Sequence, residues 1–233
     1  MSAKRAYGKI YGVGVGPGDP SLLTLKAAAV LLSSPVVAFP GKNREESMAY
    51  QTARAALPEL EKKEVLPLCF PMTRDPDEKE RALKKAARQV EKVLKQGKDV
   101  CFVTIGDVCI YSTFWGIAPL LKRDGFEIEV IPGVPSFCAA SARLLLPLVY
   151  EGEELHVFPH AQRPKEDLPP GTCVFMKAGT LLPEVKKKLQ QTDREVYGAS
   201  NLGRDGERLY RSLSEIPEDA GYFTVVIARE KDE

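Results

Sequence analysis

Tyr11-Gly-Val-Gly-Val-Gly-Pro-Gly-Asp19 places glycine at four alternate positions, Gly12, Gly14, Gly16 and Gly18, directly after a short apolar run. Side chains surrendered at that rate forgo packing, so the pattern predicts a strand running into a loop that something approaches at backbone distance. The spacing excludes the dinucleotide fingerprint, which needs a further glycine three residues after the second of a pair. That slot holds Pro17, Asp19 or Ser21, depending on which glycine pair begins the count.

Outward from this loop, residues 8–15 predict the first strand. Asp19-Pro20 supplies a cap and a first helical position for an apolar helix running through Leu31-Leu32. Ser34-Pro35 stops that helix, and Val36 to Phe39 predicts a second buried strand. Asp75-Pro76, with Glu78 at the capping-box position, opens a helix that carries Leu83, Ala86, Ala87, Val90, Val93 and Leu94 on one face. Gln96-Gly97 ends it. Asp99 to Ile105 is almost wholly apolar, as in a parallel strand covered on both faces. A helix from Phe114 to Leu121 and a strand from Glu127 to Ile131 complete a pattern that predicts a doubly wound parallel sheet.

Pro132-Gly133 breaks the chain before an alanine-rich helix from Ser136 to Leu145. Beyond it come strand candidates at Leu155 to Phe158, Cys173 to Lys177, Glu195 to Ala199 and Phe223 to Ala228, with one clear helix from Leu181 to Gln190. That texture predicts a mixed sheet. The expected class is α/β with two domains, 1–132 and 133–233.

Composition narrows the function. Thirty-three Lys plus Arg balance 32 Asp plus Glu in 233 residues, so no global field draws the chain to nucleic acid or to an anionic membrane. Lys84-Lys85 and Lys186-Lys187-Lys188 read as wet helix faces. No stretch has the length of a membrane span and no apolar signal segment follows Met1, which predicts a cytoplasmic protein. The five scattered cysteines suit neither a zinc site nor a disulfide framework, and buried free thiols are expected. His156 and His160 flank a strand end at Pro159, and no metal site is expected from them. There is no Gly-Lys-Ser/Thr phosphate loop, no His-Glu-x-x-His and no Gly-x-Ser-x-Gly, which leaves group transfer governed by shape and backbone contacts.

Three loops follow strands at their carboxyl ends, where ligands of open α/β sheets gather: Gly16 to Asp19, Gly106 to Thr113 and Pro132 to Phe137. Asp19 and Asp107 read more readily as helix caps, their carboxylates taking amide hydrogens, than as catalytic groups.

At these same loops the chain resembles the tetrapyrrole methyltransferase family. Gly12-Val-Gly-Val-Gly-Pro-Gly-Asp-Pro-Ser-Leu-Leu-Thr-Leu-Lys26 is similar to its N-terminal motif. Ile105-Gly-Asp-Val-Cys-Ile-Tyr-Ser-Thr-Phe114 is similar to its second signature, and Val130-Ile-Pro-Gly-Val-Pro-Ser-Phe137 to its third. The Tyr111-to-Phe114 and Pro132-to-Ala140 runs look most like the branch that methylates C20 of precorrin-2 or cobalt-precorrin-2 on the route to cobalamin. The resemblance implies two α/β domains with an active-site cleft between them, S-adenosylmethionine as cofactor, a tetrapyrrole substrate and a homodimer.

Carried over residue by residue, it implies cofactor contacts from Gly106, Asp107 and Ile110, largely through backbone groups, and from Pro135 and Ser136. Met176, Asn201, Leu202 and Thr224 would add contacts from the second domain, and Pro17 would lie near the reacting methyl group. Gly14 and Gly16 would face the substrate. Tyr111 would position substrate or assist proton movement, or simply pack. Substrate carboxylates would call for cations at the rim, for which Arg44, Arg74, Arg143 and Arg204 are candidates. Many relatives have glycine before the Gly-Asp pair and proline after it. Ile105 and Val108 stand there instead, implying a narrower pocket and a looser turn. Methylation at another ring carbon, diphthine-synthase-like methylation of a protein histidine, and tetrapyrrole binding without catalysis are the alternatives.

Overall fold

The computed structural model describes residues 6–73, 75–159 and 167–231. Arg74 and His160 lie outside the described residues. Two compact units divide the chain, Met1–Val134 and Pro135–Glu233.

In the first unit, strands β1 (Ile10–Gly14), β2 (Val36–Pro40), β3 (Glu64–Leu68), β4 (Val100–Thr104) and β5 (Ile128–Ile131) form one sheet in the order β3-β2-β4-β1-β5. Every neighbouring pair is parallel. Successive residues of a strand point to opposite faces, so β4 sends Val100 and Phe102 to one side and Cys101 and Val103 to the other. On the first side they pack with Val90 and Leu94 of helix α3 (Pro76–Leu94) and with Phe114, Ile117 and Leu121 of α4 (Phe114–Arg123). On the second they meet Leu31 of α1 (Leu25–Ser33) and Tyr50 and Ala53 of α2 (Met48–Ala56). All five β4 residues are buried, as its unbroken apolar run requires.

Helix entry differs from the sequence reading. Asp19 caps only a 3-10 turn, Pro20–Leu22, its carboxylate accepting from the Ser21 amide at 2.8 Å. Helix α1 starts later, at Leu25, where the Thr24 hydroxyl accepts from the Ala27 amide at 3.2 Å. Asp75 does cap α3, accepting from the Asp77 amide at 2.9 Å, but its own N–H donates to the Thr73 hydroxyl. That donation takes the amide a capping box would offer to Glu78. Helix α2 and strand β3 were not foreseen.

The second unit holds a mixed sheet, β6 (Leu155–Phe158), β7 (Thr172–Phe175), β8 (Arg194–Ser200), β9 (Arg208–Tyr210) and β10 (Thr224–Glu230), in the order β6-β7-β10-β8-β9. β6 and β7 are parallel and the other pairs antiparallel. Helices α5 (Ser136–Leu144) and α6 (Leu182–Leu189) belong to this unit. β7 stops at Phe175, short of the expected Lys177, which turns left-handed at φ 52°. The cysteine expectation holds only for Cys101 and Cys173; Cys69, Cys109 and Cys138 are exposed. Among the described residues no helix is long and apolar enough to cross a membrane.

Candidate functional site

In the first unit the carboxyl ends of β1, β4 and β5 are tied into one knot. Gly16 and Gly106 exchange both backbone hydrogen bonds, at 3.1 and 2.7 Å, in an isolated antiparallel bridge. Both adopt positive φ, 81° and 72°, which glycine allows without strain. A Cβ on Gly14 would lie 2.6 Å from the Gly133 nitrogen and 2.8 Å from the Gly106 carbonyl oxygen. A Cβ on Gly12 would strike the Phe114 ring at 2.5 Å. The close approach the glycines predict is therefore made, at least here, by the chain itself.

Asp107 is the second tie. It is 8% exposed, and its two carboxylate oxygens accept from the Cys109 and Gly133 amides, each at 2.7 Å. It joins the β4 loop to the β5 loop instead of capping α4, whose N-cap position is Thr113. Val108 is wholly buried and its carbonyl accepts from the Trp115 indole at 2.9 Å, so packing holds the turn that lacks a proline. Ile105 packs against the core cluster beneath α1 and α2. Beyond the knot the chain presents Ile110, half-buried, and Tyr111, exposed and left-handed at φ 52°. Pro17 is buried. Gly106, expected to offer backbone groups to a cofactor, already gives its amide and carbonyl to Gly16.

Cys109 sits in this loop. Although the residue is exposed, partial desolvation of its thiol raises the pKa above the usual range, and the charge and hydrogen bond of Asp107 push it further. Burial likewise raises Cys138 on α5. Both favour the protonated thiol, which is a poor nucleophile.

In the second unit, a different set of predicted residues shares one end of the sheet. Register pairs Phe175 with Val226 and Ser200 with Thr224, so the chain leaving β7 and β8 lies beside the start of β10. Met176, half-buried, donates its N–H to the Phe158 carbonyl at 3.0 Å, and the Asn201 amide donates to Phe223 at 3.1 Å. Asn201 is left-handed at φ 51°, and Leu202 is buried. The Thr224 hydroxyl is spent internally on the carbonyls of Ala220 and Gly221 at 2.9 and 2.8 Å, with the Ser200 hydroxyl at 2.9 Å. A Cβ on Gly179 would lie 1.7 Å from the Gly221 oxygen, so the loops after β7 and before β10 press backbone to backbone. Pro135 is the N-cap residue of α5 and Ser136 its first residue, both half-buried.

The candidate arginines separate. Arg44 is half-buried, with its guanidinium 5.9 Å from the Tyr50 ring. Arg204 stacks 4.3 Å from the Phe223 ring, at the sheet end just described, and burial lowers its pKa. Arg143 is bound to Glu207, which also accepts from the Gly203 amide at 2.6 Å. That pairing gives Arg143 a structural partner. Among the described residues no group of three or more His, Cys, Asp or Glu is disposed to hold a metal, and His156 has Glu154 at 3.1 Å. Sequence reasoning placed Gly133 in the Pro132-to-Phe137 loop but did not foresee its contacts with Gly14 and Asp107, and it read Lys177 only as the end of a strand.

A family model described as Tetrapyrrole (Corrin/Porphyrin) Methylases matches residues 9–217. The chain is 32% identical over 235 residues to the cobalt-precorrin-2 C(20)-methyltransferase of Salmonella typhimurium, covering 96% of this chain and 97% of that protein. It is 41% identical over 155 residues to a Methanocaldococcus jannaschii protein named "Probable cobalt-precorrin-2 C(20)-methyltransferase", a match spanning 66% of this chain and 65% of that one. Among solved structures, the cobalt precorrin-4 methyltransferase superposes with a TM-score of 0.72 at 22% identity, over 95% of this chain and 94% of that chain. That last likeness is one of fold.

Proposed function

The chain belongs to the tetrapyrrole methylase family, and from that premise we propose that it methylates C20 of precorrin-2 or cobalt-precorrin-2 with S-adenosylmethionine, in cobalamin synthesis. The observation that carries this reading is the match to the Salmonella typhimurium protein, which runs over 96% of this chain and 97% of that one.

The residues present fit the cofactor. A rigid, glycine-walled knot in the first unit leaves Ile110 and Tyr111 displayed, and the second unit's sheet end displays Met176 beside Asn201. Pro17, Ile110, Pro135, Ser136, Met176, Asn201 and Leu202 would hold it. Gly106, Asp107 and Thr224, whose polar groups are engaged within the chain, would serve chiefly by shape. When bound, S-adenosylmethionine supplies an electrophilic sulfonium methyl group. The chain's part is alignment of the ring carbon with that methyl, which in favourable analogies lowers a barrier by about 7–11 kcal/mol. Tyr111 would guide the departing ring proton toward water. Gly14 and Gly16 shape the substrate side, and Arg44 and Arg204 would receive substrate carboxylates. We further propose a two-fold homodimer, to be checked by light scattering.

The test is anaerobic incubation of the purified protein with S-adenosylmethionine and either metal-free or cobalt-loaded precorrin-2. One added methyl by mass, placed at C20 by carbon-13 labelling, is the expected result, and the faster substrate identifies the natural one. Methylation at another carbon would move the chain to a neighbouring branch. Binding without turnover would make it a tetrapyrrole-binding module, and labelling of elongation factor 2 instead would make it diphthine-synthase-like.

A further inference from the structure

Four residues other than glycine hold positive φ among the described residues: Tyr111, Leu145, Lys177 and Asn201. Leu145 is the C-cap of α5, where a left-handed residue is the ordinary way to end a helix. Asparagine tolerates this region better than most side chains. Tyr111 has its proposed role, which leaves Lys177, the residue just before the 3-10 turn Ala178–Leu181, whose side chain makes no capping hydrogen bond. Eleven glycines among the described residues already serve positive-φ positions, so the fold has an unstrained solution that it does not use here. Strained side chains of this kind concentrate where a ligand is gripped.

The surroundings of Lys177 point the same way. It follows Met176 directly at the sheet end that carries Asn201 and Thr224. Its ammonium stands 5.8 Å from the centre of the Tyr222 ring. No carboxylate of the described residues forms an ion pair with it, unlike Lys9, Lys26, Lys84, Lys95 and Lys98, so its charge is open to a ligand's carboxylate. Two residues on, at Gly179, the loop that carries it is pressed backbone to backbone against Gly221.

We propose that Lys177 is a further binding residue of the methyltransferase site, holding a carboxylate of the bound ligands. This rests on the function proposed above. Two sources supply that chemistry: the amino-acid carboxylate of the cofactor and the acidic side chains of the tetrapyrrole.

Lys177→Gly deletes the ammonium while satisfying the backbone, and relief of the left-handed strain offsets glycine's greater freedom in the unfolded chain. Its melting temperature should therefore stay near that of the unaltered protein, which separates loss of function from loss of fold. S-adenosylhomocysteine binding is measured by calorimetry without substrate, and the KM for precorrin-2 at saturating cofactor. If the carboxylate is the cofactor's, S-adenosylhomocysteine affinity falls about tenfold or more. If it is the substrate's, that affinity holds and KM rises by a similar factor. Lys177→Arg should recover part of either loss. Unaltered affinity and KM in Lys177→Gly, in a protein that is itself active, would overturn the role of Lys177 and leave the function standing. A protein that neither binds S-adenosylhomocysteine nor methylates any tetrapyrrole would overturn both.

Discussion

A methyl group added at Gly14 meets only backbone, the Gly133 nitrogen and the Gly106 oxygen, and backbone cannot rotate aside. Gly14→Ala should therefore cost about 1–3 kcal/mol in urea unfolding, the usual range for overpacking. Asp107 binds the same loops by charge. In Asp107→Asn one acceptor oxygen becomes an amino group aimed at a backbone N–H, so a hydrogen bond is lost and two donors face each other. Chemical denaturation should find a loss of about 1–3 kcal/mol. Removing the carboxylate's charge also lets the Cys109 thiol fall toward its ordinary range, although partial desolvation, the larger cause, still holds it up. Iodoacetamide at mildly alkaline pH should then alkylate Cys109 faster than in the unaltered protein. Arg143→Ala offers the contrasting case. Its carboxylate partner is Glu207, and because the guanidinium is exposed while only Glu207 is half-buried, the pair should contribute about 1 kcal/mol, with KM for the tetrapyrrole unchanged.

Helix α1 takes its cap from Thr24 and not from Asp19, so the two residues should separate by mutation. Thr24→Ala is expected to lower stability by about 1 kcal/mol in thermal or urea melts. Asp19→Ala, which uncaps the short 3-10 turn at Pro20–Leu22 and not α1, should lower it less. What could be read from sequence at this scale followed apolar content. β1, β2 and β4 were legible because central parallel strands bury both faces, β5, at the sheet edge, by its Ile128, Val130 and Ile131, and α3 because its aliphatic residues recur along one side. α2 escaped because its buried face is Ala49, Tyr50, Thr52 and Ala53, small or polar residues that trace no apolar stripe. β3 is an edge strand carrying Pro67, which broke the pattern, and β9 has three residues, too few to show alternation. The three strand-end loops were visible as glycine and proline punctuation. Their partners were not, since nothing local in Asp107 or Gly14 announces Gly133 as the residue each meets. Lys177 carried no local signal at all, because a lysine after an apolar run reads as a strand end whatever its φ.

Across the molecule, charge is almost balanced, with 33 basic against 32 acidic side chains, so acid unfolding depends on which carboxylates resist protonation. Glu129 on β5 is the clearest of these. Hydrogen bonds from Lys26 on α1 and Lys9 beside β1, at 2.8 and 2.7 Å, hold its pKa down to about 2. Lys9 is raised in turn, chiefly by its hydrogen bond to Glu129. Because the folded carboxyl lies below its unfolded value of 4.5, its contribution is complete above that pH and is lost as pH falls toward about 2. The lysine has the opposite sign: its contribution is complete below 10.5 and is lost as pH rises through the raised folded value. Glu129 keeps 31% of its side-chain surface in water, so salt will screen the effect. Urea midpoints measured from pH 5 to pH 2 should therefore fall more shallowly in Glu129→Gln than in the unaltered protein. The two curves should converge at the acid end and draw closer throughout when salt is raised. Parallel curves at every pH would mean that this three-way tie of β1, α1 and β5 adds nothing to acid resistance.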